Sequence, residues 1–308
     1  MMTNDKIMVT GAKGLLGSAL VSLLEAQGYQ NIVAIGHQDC DLTNQAQTLG
    51  FIQDHNPDYV FHLAARVYGL MGNLSNQALS FYDNILINTN VVHGAYLAGV
   101  KKITVMGTGC VYPYPSPSLP LQEDMIFEGR PHQSGSGYAH AKRAMLAMCE
   151  AYEQSHDMAW AYIVSCNIFG THDKFDIING RFVPSIIKKC YDAKQLGERV
   201  TVWGNGSAQR DFLYAKDAAK ATLAIMDHLN GPVNMGSGTV YAIREVIGML
   251  TDITGLHNAF DWDPSKPNGQ DYRGYDLSKL QSIGFTSSYS MAEGLQETWD
   301  WYCNQQTQ

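Results

Sequence analysis

The chain has 308 residues, which at roughly 150 residues per domain allows about two domains or one large α/β unit. Hydrophobic residues make up 45% of it and charged residues 16%, so it can build a sizeable core, and wholesale disorder is excluded. A net charge of −8, with no basic cluster, argues against general binding to nucleic acid or to an anionic membrane. The longest uncharged apolar stretch, residues 158–170, is shorter than the roughly 20 residues that a bilayer requires.

The N-terminus and the cysteines favour a cytoplasmic protein. Residues 1–6 lead directly into a strand-like segment, and no signal peptide is recognisable. No C-x-x-C pair occurs in this long, cysteine-poor chain, which favours free thiols over disulfides or a metal site. The six cysteines are Cys40, Cys110, Cys149, Cys166, Cys190 and Cys303.

Short apolar runs alternate with helical patterns through the first half of the chain. Apolar runs predict strands at 7–10, 32–35, 59–63, 103–106 and 160–165. Apolar residues at helical spacing predict helices at 15–27, 84–98 and 138–154. This alternation implies an α/β fold with a doubly wound, parallel Rossmann sheet and right-handed crossovers.

After about residue 166 the alternation loosens, and glycine and proline become more frequent between the periodic segments. Helices are expected there near 182–196 and 243–255. We therefore expect a Rossmann domain over 1–166 and a smaller lobe, mainly for substrate, over 167–308, with some segments returning to the Rossmann domain.

A glycine-rich loop follows the first predicted strand and opens the first predicted helix. Gly11 permits the tight turn, and Gly14, just before Leu15, lets the backbone approach a pyrophosphate at the helix N-terminus. Gly17 allows close packing of helix on strand. An ordinary glycine-rich turn is the alternative, but the strand before it and the helix after it favour dinucleotide binding.

The end of the second predicted strand bears on the choice of dinucleotide. NAD sites usually carry an acid there for the ribose 2′-hydroxyl, but this chain reads Ile35-Gly36-His37-Gln38. Lys13, between the glycines, could instead meet a 2′-phosphate, so NADP(H) is favoured over NAD(H). The alternative is that Lys13 is a solvated loop residue and Asp39 supplies the missing acid.

Tyr138 and Lys142 are one helical turn apart on one face of a predicted helix. A phenol with a pKa of about 10 needs help to exchange its proton near neutrality, and an ammonium about 4–5 Å away would lower that pKa by roughly two to three units. Thr108 follows the strand predicted at 103–106, where its hydroxyl would lie beside a nicotinamide. A chance Tyr and Lys on a helix surface is the alternative, and Thr108 weighs against it.

The glycine loop, the Tyr–Lys pair and Thr108 together resemble the extended short-chain dehydrogenase/reductase family, with further matches at His62-Leu63-Ala64-Ala65, at Asp41-Leu42 and at Asn84. The resemblance implies that Thr108 holds the substrate oxygen, that Tyr138 passes the proton, and that Lys142 tunes Tyr138 and binds the nicotinamide ribose. It also implies that the residues contacting the cofactor include Gly11, Lys13, Gly14, Leu15, Gly17, Asp41, Leu42, Ala64 and Ala65.

Six further segments, in order, resemble the GDP-L-fucose synthases, which epimerise and reduce a GDP-4-keto-6-deoxymannose. The segments are 107–113, 167–175, 202–206, 210–212, 234–238 and 265–269, the last including Pro267. Sugar-nucleotide dehydratases of the same superfamily carry an Asp-Glu pair after the threonine. Gly109-Cys110 stands there in this chain, so dehydration is not expected.

The same resemblance implies a GDP-sugar substrate. Arg210 would bind the diphosphate as a bidentate fork, and a surface salt bridge is the alternative role for it. Trp203 and the segment from Lys266 to Arg273 would line the guanosine, and core packing is the alternative for Trp203. The other residues implied around the nucleotide and sugar are Asn167, Arg181 and Val183.

The departures from this family concern epimerisation, which uses a cysteine and a histidine on opposite faces of the sugar. Cys110 matches the cysteine, but Arg181 replaces the histidine, and a guanidinium with a pKa above about 12 is a poor proton donor. Tyr68 also replaces a glycine, Gly109 a serine and Thr171 a proline. Hydride transfer is expected to persist, and the sugar is expected to differ from the fucose precursor, for example a heptose or another deoxyhexose.

We therefore expect an NADPH-dependent reductase acting at C4 of a GDP-4-keto-sugar. The alternatives are a full 3,5-epimerase-4-reductase, a C4 dehydrogenase or epimerase with tightly held NAD, and a dinucleotide-binding sensor without turnover. The family likeness also implies a homodimer through the helices of Asn84 and Tyr138. The outer apolar residues of those helices would be Val91, Ala95, Met145 and Met148, unless these are simply core.

Overall fold

A computed structural model describes residues 1–266 and 268–307, apart from the side chains of Leu70, Met71 and Asn73; Pro267 of the 265–269 motif lies outside the described residues. The elements of the first half are β1 (Lys6–Thr10), α1 (Leu15–Ala26), β2 (Asn31–Ile35), α2 (Gln45–His55), β3 (Tyr59–His62), α3 (Leu70–Ser75), α4 (Gln77–Leu97), β4 (Lys102–Met106), α5 (Ser136–His156) and β5 (Trp160–Ser165). Those of the second half are β6 (Asn167–Phe169), α6 (Phe182–Leu196), β7 (Val200–Trp203), β8 (Gln209–Tyr214), α7 (Ala215–His228), β9 (Gly231–Met235), β10 (Val240–Ala242), α8 (Ile243–Thr254), β11 (Phe260–Asp263), β12 (Tyr272–Arg273), α9 (Ser278–Ser282) and α10 (Met291–Gln306).

The central sheet has the strand order β2-β1-β3-β4-β5-β9, and every pair in it is parallel. The order reverses at β1, which pairs with β2 on one side and with β3 on the other. Open α/β sheets bind ligands outside the carboxyl ends of the strands at such a reversal. Thr10, the last residue of β1, pairs with Ile35 and His62, so three strand ends meet at this point. The prediction of a doubly wound parallel α/β sheet is confirmed.

The sequence prediction lacks the helices α2, α3, α7, α9 and α10 and places the start of α4 too late. α2 was not predicted, because few of its residues are apolar and Ile52 is its one deeply buried large side chain. α4 begins at Gln77, seven residues before the predicted start at Asn84. Leu79, Phe81 and Tyr82 of this first part are exposed, so no helical apolar period marks it.

The second half of the chain adds smaller sheets beside the central one. β8 lies between β10 and β12 and also pairs with β6, while β7 pairs with β11. β8 and β12 run parallel, and their register places Arg210 directly beside Arg273. A separate apolar cluster from α6, α8 and α10 packs against these strands. These elements bring the candidate substrate residues toward the carboxyl end of the central sheet.

The helices α4 and α5 pack against the sheet. Val91, Ala95 and Met145 are fully buried in the central core, and Met148 packs against it partly buried. The prediction that they form an outer, pairing face is therefore wrong, because these positions are buried or partly buried in the core. In the described part of the chain, no helix combines the length and apolarity needed to cross a membrane.

Candidate active site

The glycine loop lies at the reversal of strand order. Gly11 has φ +70°, and a Cβ there would lie 2.9 Å from the backbone nitrogen of Ala64 at the end of β3. A Cβ at Gly17 would collide with the carbonyl oxygen of Gly11. Gly14 is the N-cap of α1, no side chain caps that end, and Leu15 begins the helix. The backbone therefore forms an open cradle whose free amides fit a pyrophosphate.

Lys13 extends across the end of β2. A Cβ at Gly36 would lie 2.8 Å from its Cδ, and its Nζ is 3.7 Å from Asp39 Oδ2. That carboxylate oxygen also accepts a hydrogen bond of 2.7 Å from the backbone nitrogen of Gly36. Both the candidate cation and the candidate acid thus lie at the strand end that the ribose 2′ position approaches in this fold. The Lys13 side chain is 70% exposed, which leaves its ammonium accessible to a ligand.

The other predicted cofactor residues differ in their surroundings. Asp41 is exposed, and its carboxylate accepts hydrogen bonds from the backbone and hydroxyl of Thr43, which lower its pKa. Leu42 is buried, and its carbonyl accepts from Asn90 Nδ2. Ala64 is half-buried against the glycine loop, and Ala65 follows it. The loop and the end of β3 are therefore brought together, whereas the Asp41 carboxylate stabilises its own turn.

Thr108 lies at the carboxyl end of β4, and Tyr138 and Lys142 lie together on α5. Thr108 follows β4, and its Oγ1 accepts a 3.3 Å hydrogen bond from the backbone nitrogen of Cys110. Tyr138 is 8% exposed and Lys142 is fully buried, both on α5. The Lys142 Nζ lies 5.8 Å from the centre of the Tyr138 ring. The arrangement brings a hydroxyl, a phenol and an ammonium to one end of the sheet.

Burial dominates the proton affinities in this cluster. Burial raises the pKa of Tyr138 well above its usual value, Cys110 raises it further, and Arg181 lowers it. Burial also lowers the pKa of Lys142 to about 7. The expectation that Lys142 makes the phenol acidic is wrong for this geometry, because the desolvation of the phenol outweighs nearby positive charge. Tyr138 is thus protonated at neutral pH, which is the form that a proton donor requires.

A line of buried polar groups connects Lys142 to β1. Its Nζ donates to Asn88 Oδ1 at 3.5 Å, and His62 Nε2 lies 3.2 Å from the same oxygen. The other ring nitrogen, His62 Nδ1, is 2.8 Å from Thr10 Oγ1. Sequence reasoning missed Asn88, although an asparagine one turn after Asn84 in an apolar helix was a usable signal.

The sulfur of Cys110 faces the guanidinium of Arg273, which is hydrogen-bonded to Gln270. Its Sγ is 3.8 Å from Arg273 Nη1, while Gln270 Oε1 accepts from Arg273 Nε at 3.0 Å and from Nη2 at 2.7 Å. A Cβ at Gly109 would collide with the hydroxyl of Tyr275. The exchange of the family's serine for Gly109 thus makes room for this tyrosine beside the thiol.

Arg210 and Arg273 are neighbours on paired strands. Burial, and then the charge of Arg273, lowers the pKa of Arg210 to about 10. Neither forms an ion pair with a carboxylate in residues 1–266 and 268–307, and Arg210 Nη1 donates only to the carbonyl of Gln209. The alternative role of Arg210, a surface salt bridge, is therefore not found in the described residues. Two adjacent guanidinium groups without a counter-ion are the arrangement that an anionic ligand would neutralise.

Arg181 is the N-cap of α6, and its charge acts on Tyr138. Its Nη2 lies 3.0 and 2.9 Å from the two carboxylate oxygens of Asp173, whose side chain is 6% exposed. The next turn contains the buried Val183. Asn167 Nδ2 donates to the backbone carbonyl of Asp211 at 3.1 Å, so its amide is held at the edge of β8.

Trp203 lies at the end of β7 and is 38% exposed, so core packing is not its role. The backbone nitrogen of Asn205 donates to Asn268 Oδ1 at 2.9 Å, which holds the 268–269 segment against the turn after Trp203. Lys266 is exposed in the same loop, and its backbone nitrogen donates to the carbonyl of Asp263, the register partner of Trp203. Trp203 and Lys266 therefore border one exposed edge.

Known proteins with similar sequences and structures accord with this geometry. GDP-L-fucose synthase 1 of Arabidopsis thaliana is 37% identical over 300 residues, which cover 96% of this chain and 93% of that protein. The structure of a GDP-6-OMe-4-keto-L-xylo-heptose reductase from Campylobacter jejuni superposes with a TM-score of 0.92 at 28% identity and covers 99% of both chains. A GDP-mannoheptose C4 reductase from Campylobacter jejuni, with NADP bound, gives a TM-score of 0.89 at 29% identity over 98% of this chain and 99% of that one.

The family match spans the glycine loop, the Tyr–Lys pair and the first strands of the second half. Residues 7–243 match the NAD dependent epimerase/dehydratase family. That range is more than half of the 308 residues. The chain therefore belongs to the NAD dependent epimerase/dehydratase family.

Proposed function

We propose that this protein is an NADPH-dependent oxidoreductase that reduces C4 of a GDP-4-keto-sugar. The observation that carries the proposal is that Arg210 and Arg273 lie side by side without a carboxylate partner in the described residues, and that Arg273 Nη1 lies 3.8 Å from the sulfur of Cys110. Cys110 also acts on Tyr138, whose pKa is raised by burial so that the phenol keeps its proton. An anionic diphosphate would neutralise the pair while the sugar ketone reaches the phenol. The names of the relatives, a GDP-L-fucose synthase and GDP-heptose reductases, support the same substrate class.

The roles follow from the surroundings of each side chain. The nicotinamide supplies the hydride when it is bound. Thr108 Oγ1 donates a hydrogen bond to the ketone oxygen and polarises it, and Tyr138 Oη gives its proton to the oxyanion that forms there. Lys142 binds the ribose hydroxyls through an ammonium that has one protein hydrogen bond in the described structure, the bond to Asn88.

NADPH is proposed as the cofactor over NADH. The glycine cradle fits a pyrophosphate, and the exposed Lys13 ammonium at the end of β2 would meet a 2′-phosphate. Asp39 would repel that phosphate unless Lys13 shields it, so the pair sets the preference together. Ala64, Ala65, Asp41 and Leu42 complete the proposed lining around the adenosine half.

In the proposed complex the second half of the chain holds the nucleotide and sugar. Arg210 and Arg273 bind the diphosphate, and Trp203 and Lys266 border the guanosine. Asn167, Val183 and Arg181 flank the diphosphate and sugar. The protein is further proposed to act in the cytoplasm as a homodimer, on the family likeness alone, and sedimentation equilibrium would test the oligomeric state.

Epimerisation at C3 and C5 is not part of the proposed activity. Arg181 is ion-paired to Asp173, and an arginine side chain does not give up its proton in proteins, so it is not a donor to a carbon. A full 3,5-epimerase-4-reductase is the second candidate, favoured by Cys110, whose thiol faces Arg273 at 3.8 Å. In that candidate the Cys110 sulfur would remove the proton next to the ketone.

The deciding experiment incubates the purified protein with GDP-4-keto-6-deoxymannose or a GDP-4-keto-heptose and with NADPH or NADH. Cofactor oxidation is followed by absorbance, and the product is identified by NMR. We expect NADPH oxidation and a 4-hydroxy sugar with unchanged C3 and C5. Turnover only with bound NAD would favour a C4 dehydrogenase or epimerase, and cofactor binding without any turnover would favour a sensor.

A further inference from the structure

The ammonium of Lys142 is fully buried, and its one hydrogen bond to protein in the described structure goes to Asn88 Oδ1 at 3.5 Å. We propose that Asn88 is a positioning residue that keeps Lys142 charged and aimed at its ligand, and that His62 fixes the orientation of the Asn88 amide. The inference rests on the proposed function only for the part that concerns catalysis.

The hydrogen bonds around Asn88 have one consistent direction. Its Nδ2 donates to the carbonyl of Ala141 at 3.4 Å, so its Oδ1 is turned toward Lys142 and His62. A carbonyl oxygen accepts only, and therefore His62 must carry its proton on Nε2. His62 Nδ1 then accepts from the hydroxyl of Thr10 at 2.8 Å, and the oxygen of that hydroxyl accepts from the backbone nitrogen of Ala64 at 3.2 Å. Every group in the line is satisfied in this arrangement and in no reversed one.

Burial keeps the His62 ring neutral, so protonation of the ring does not change the direction of these hydrogen bonds. Desolvation, and then the charge of Lys142, lowers the pKa of His62 to about 3, so the ring stays neutral and keeps one donor and one acceptor. In a neutral ring with its proton on Nε2, that nitrogen donates a hydrogen bond and therefore needs the Asn88 oxygen, not its NH₂ group, as a partner. The amide is thus prevented from turning its NH₂ group toward the ammonium of Lys142, a turn that would remove the one acceptor that Lys142 has among the described residues.

The effect on Lys142 follows from the other groups that face it. Tyr138 lies on the same helix, Tyr162 of β5 donates to the carbonyl of Lys142 at 3.1 Å, and burial raises the pKa of both phenols. With His62 also neutral, none of these neighbours supplies a negative charge, and no carboxylate in the described residues pairs with Lys142. The carbonyl dipole of Asn88 is therefore the group that favours the ammonium against a burial that lowers its pKa to about 7.

The test measures the titration of Lys142 directly in the protein without substrate. Lysine is labelled with ¹³C at Cε, the Lys142 resonance is assigned by its loss in Lys142→Arg, and its midpoint is followed by NMR. Asn88→Leu removes the acceptor and should lower the midpoint by about one pH unit. Asn88→Asp places a carboxylate at the same atoms and should raise the midpoint by about as much or more.

Thr89→Val is the matched control on the same helix. The Thr89 hydroxyl donates to the carbonyls of Ile85 and Leu86 within α4, so its loss should leave the Lys142 midpoint unchanged. Midpoints in both Asn88 variants within about 0.3 pH unit of the wild type, or a shift in the same direction in both, would overturn the proposal. If Asn88→Leu does not fold, Asn88→Asp still decides, since the two side chains have the same shape.

The catalytic part is tested by the pH profile of kcat/KM. Since the charged form of Lys142 is the active one, activity falls above its pKa, and this basic limb should move down in Asn88→Leu and up in Asn88→Asp. A fall in kcat/KM with no movement of the limb would mean a structural role and would contradict the proposal. Absence of NADPH oxidation by the wild type would refute the proposed function, while the NMR titration would still decide the role of Asn88.

Discussion

The proton of Tyr138 is the residue-scale feature on which the proposed chemistry depends. Tyr138→Phe removes the hydroxyl and keeps the buried ring, so cofactor binding should remain nearly intact. Because the hydroxyl is both proton donor and oxyanion partner, kcat should fall by about 10²- to 10⁴-fold. Stopped-flow reduction and NADPH fluorescence titration measure the two effects separately. Turnover within about tenfold of wild type would exclude this role for Tyr138.

Cofactor preference should depend on Lys13 at the end of β2. Lys13→Ala should weaken NADPH much more than NADH, because only NADPH carries a 2′-phosphate for the exposed ammonium. A charge-assisted contact of about 1.5–3 kcal/mol corresponds to a roughly 10- to 150-fold loss of affinity. Calorimetric titration with both cofactors measures it. Equal losses for the two would show that Lys13 only shapes the loop over Gly36.

The pairing of Arg181 with Asp173 predicts the isotope content of the product. Reduction in D₂O should place little or no deuterium at C3 or C5, because Arg181, which is ion-paired to Asp173, is a poor proton donor to a carbon. Cys110→Ser should keep most of the reductase rate, because the proposed reduction uses Thr108, Tyr138 and Lys142 and not the thiol. Mass spectrometry and NMR of the product measure both. Stoichiometric deuterium together with an inverted product would instead identify a full epimerase-reductase.

At the scale of elements, the contact between the glycine loop and α1 has no room for a side chain. Gly17→Ala would push a methyl group into the carbonyl of Gly11 and should displace the start of α1 from the cradle. We expect a destabilisation of about 1–3 kcal/mol and a large loss of NADPH affinity. Thermal unfolding and cofactor titration provide the measurements.

Gly50 supplies the matched control, because it lies inside α2 and a Cβ there would contact nothing within 4 Å. Gly50→Ala should stabilise the protein by about 0.5–1 kcal/mol and leave cofactor affinity unchanged. Similar effects of the two substitutions would mean that the cradle tolerates a side chain.

At the scale of the whole molecule, acid stability should depend on the buried His62. Its folded pKa of about 3 is depressed from 6.5, so its stabilising contribution is complete above about pH 6.5 and is lost as the pH falls toward 3. From pH 6.5 to pH 5 this residue alone should remove about 1.5–2 kcal/mol from the free energy of unfolding. Urea unfolding at the two pH values should show that loss in the wild type and a smaller one in His62→Gln. An unchanged difference would assign the acid sensitivity to other groups.

Features that depend on nearby residues could be predicted from the sequence. The strands of the parallel sheet are buried on both faces and appear as apolar runs, and the glycine loop is a local turn between a strand and a helix. Tyr138 and Lys142 share a helix face because the helical period requires it. α2 and the start of α4 escaped prediction because their exposed or sparse apolar residues carry no such period.

The sequence alone determined the fold class and the glycine loop. It also singled out the candidate catalytic residues Thr108, Tyr138 and Lys142. Only the tertiary structure decided the pairing of Arg210 with Arg273, which depends on the register of two strands far apart in the chain. It also decided the contact of Asn88 with Lys142, which joins two helices. The pKa of Tyr138 was also decided only by the tertiary structure. Desolvation of the phenol depends on every atom that surrounds it, and a local sequence pattern does not contain that information.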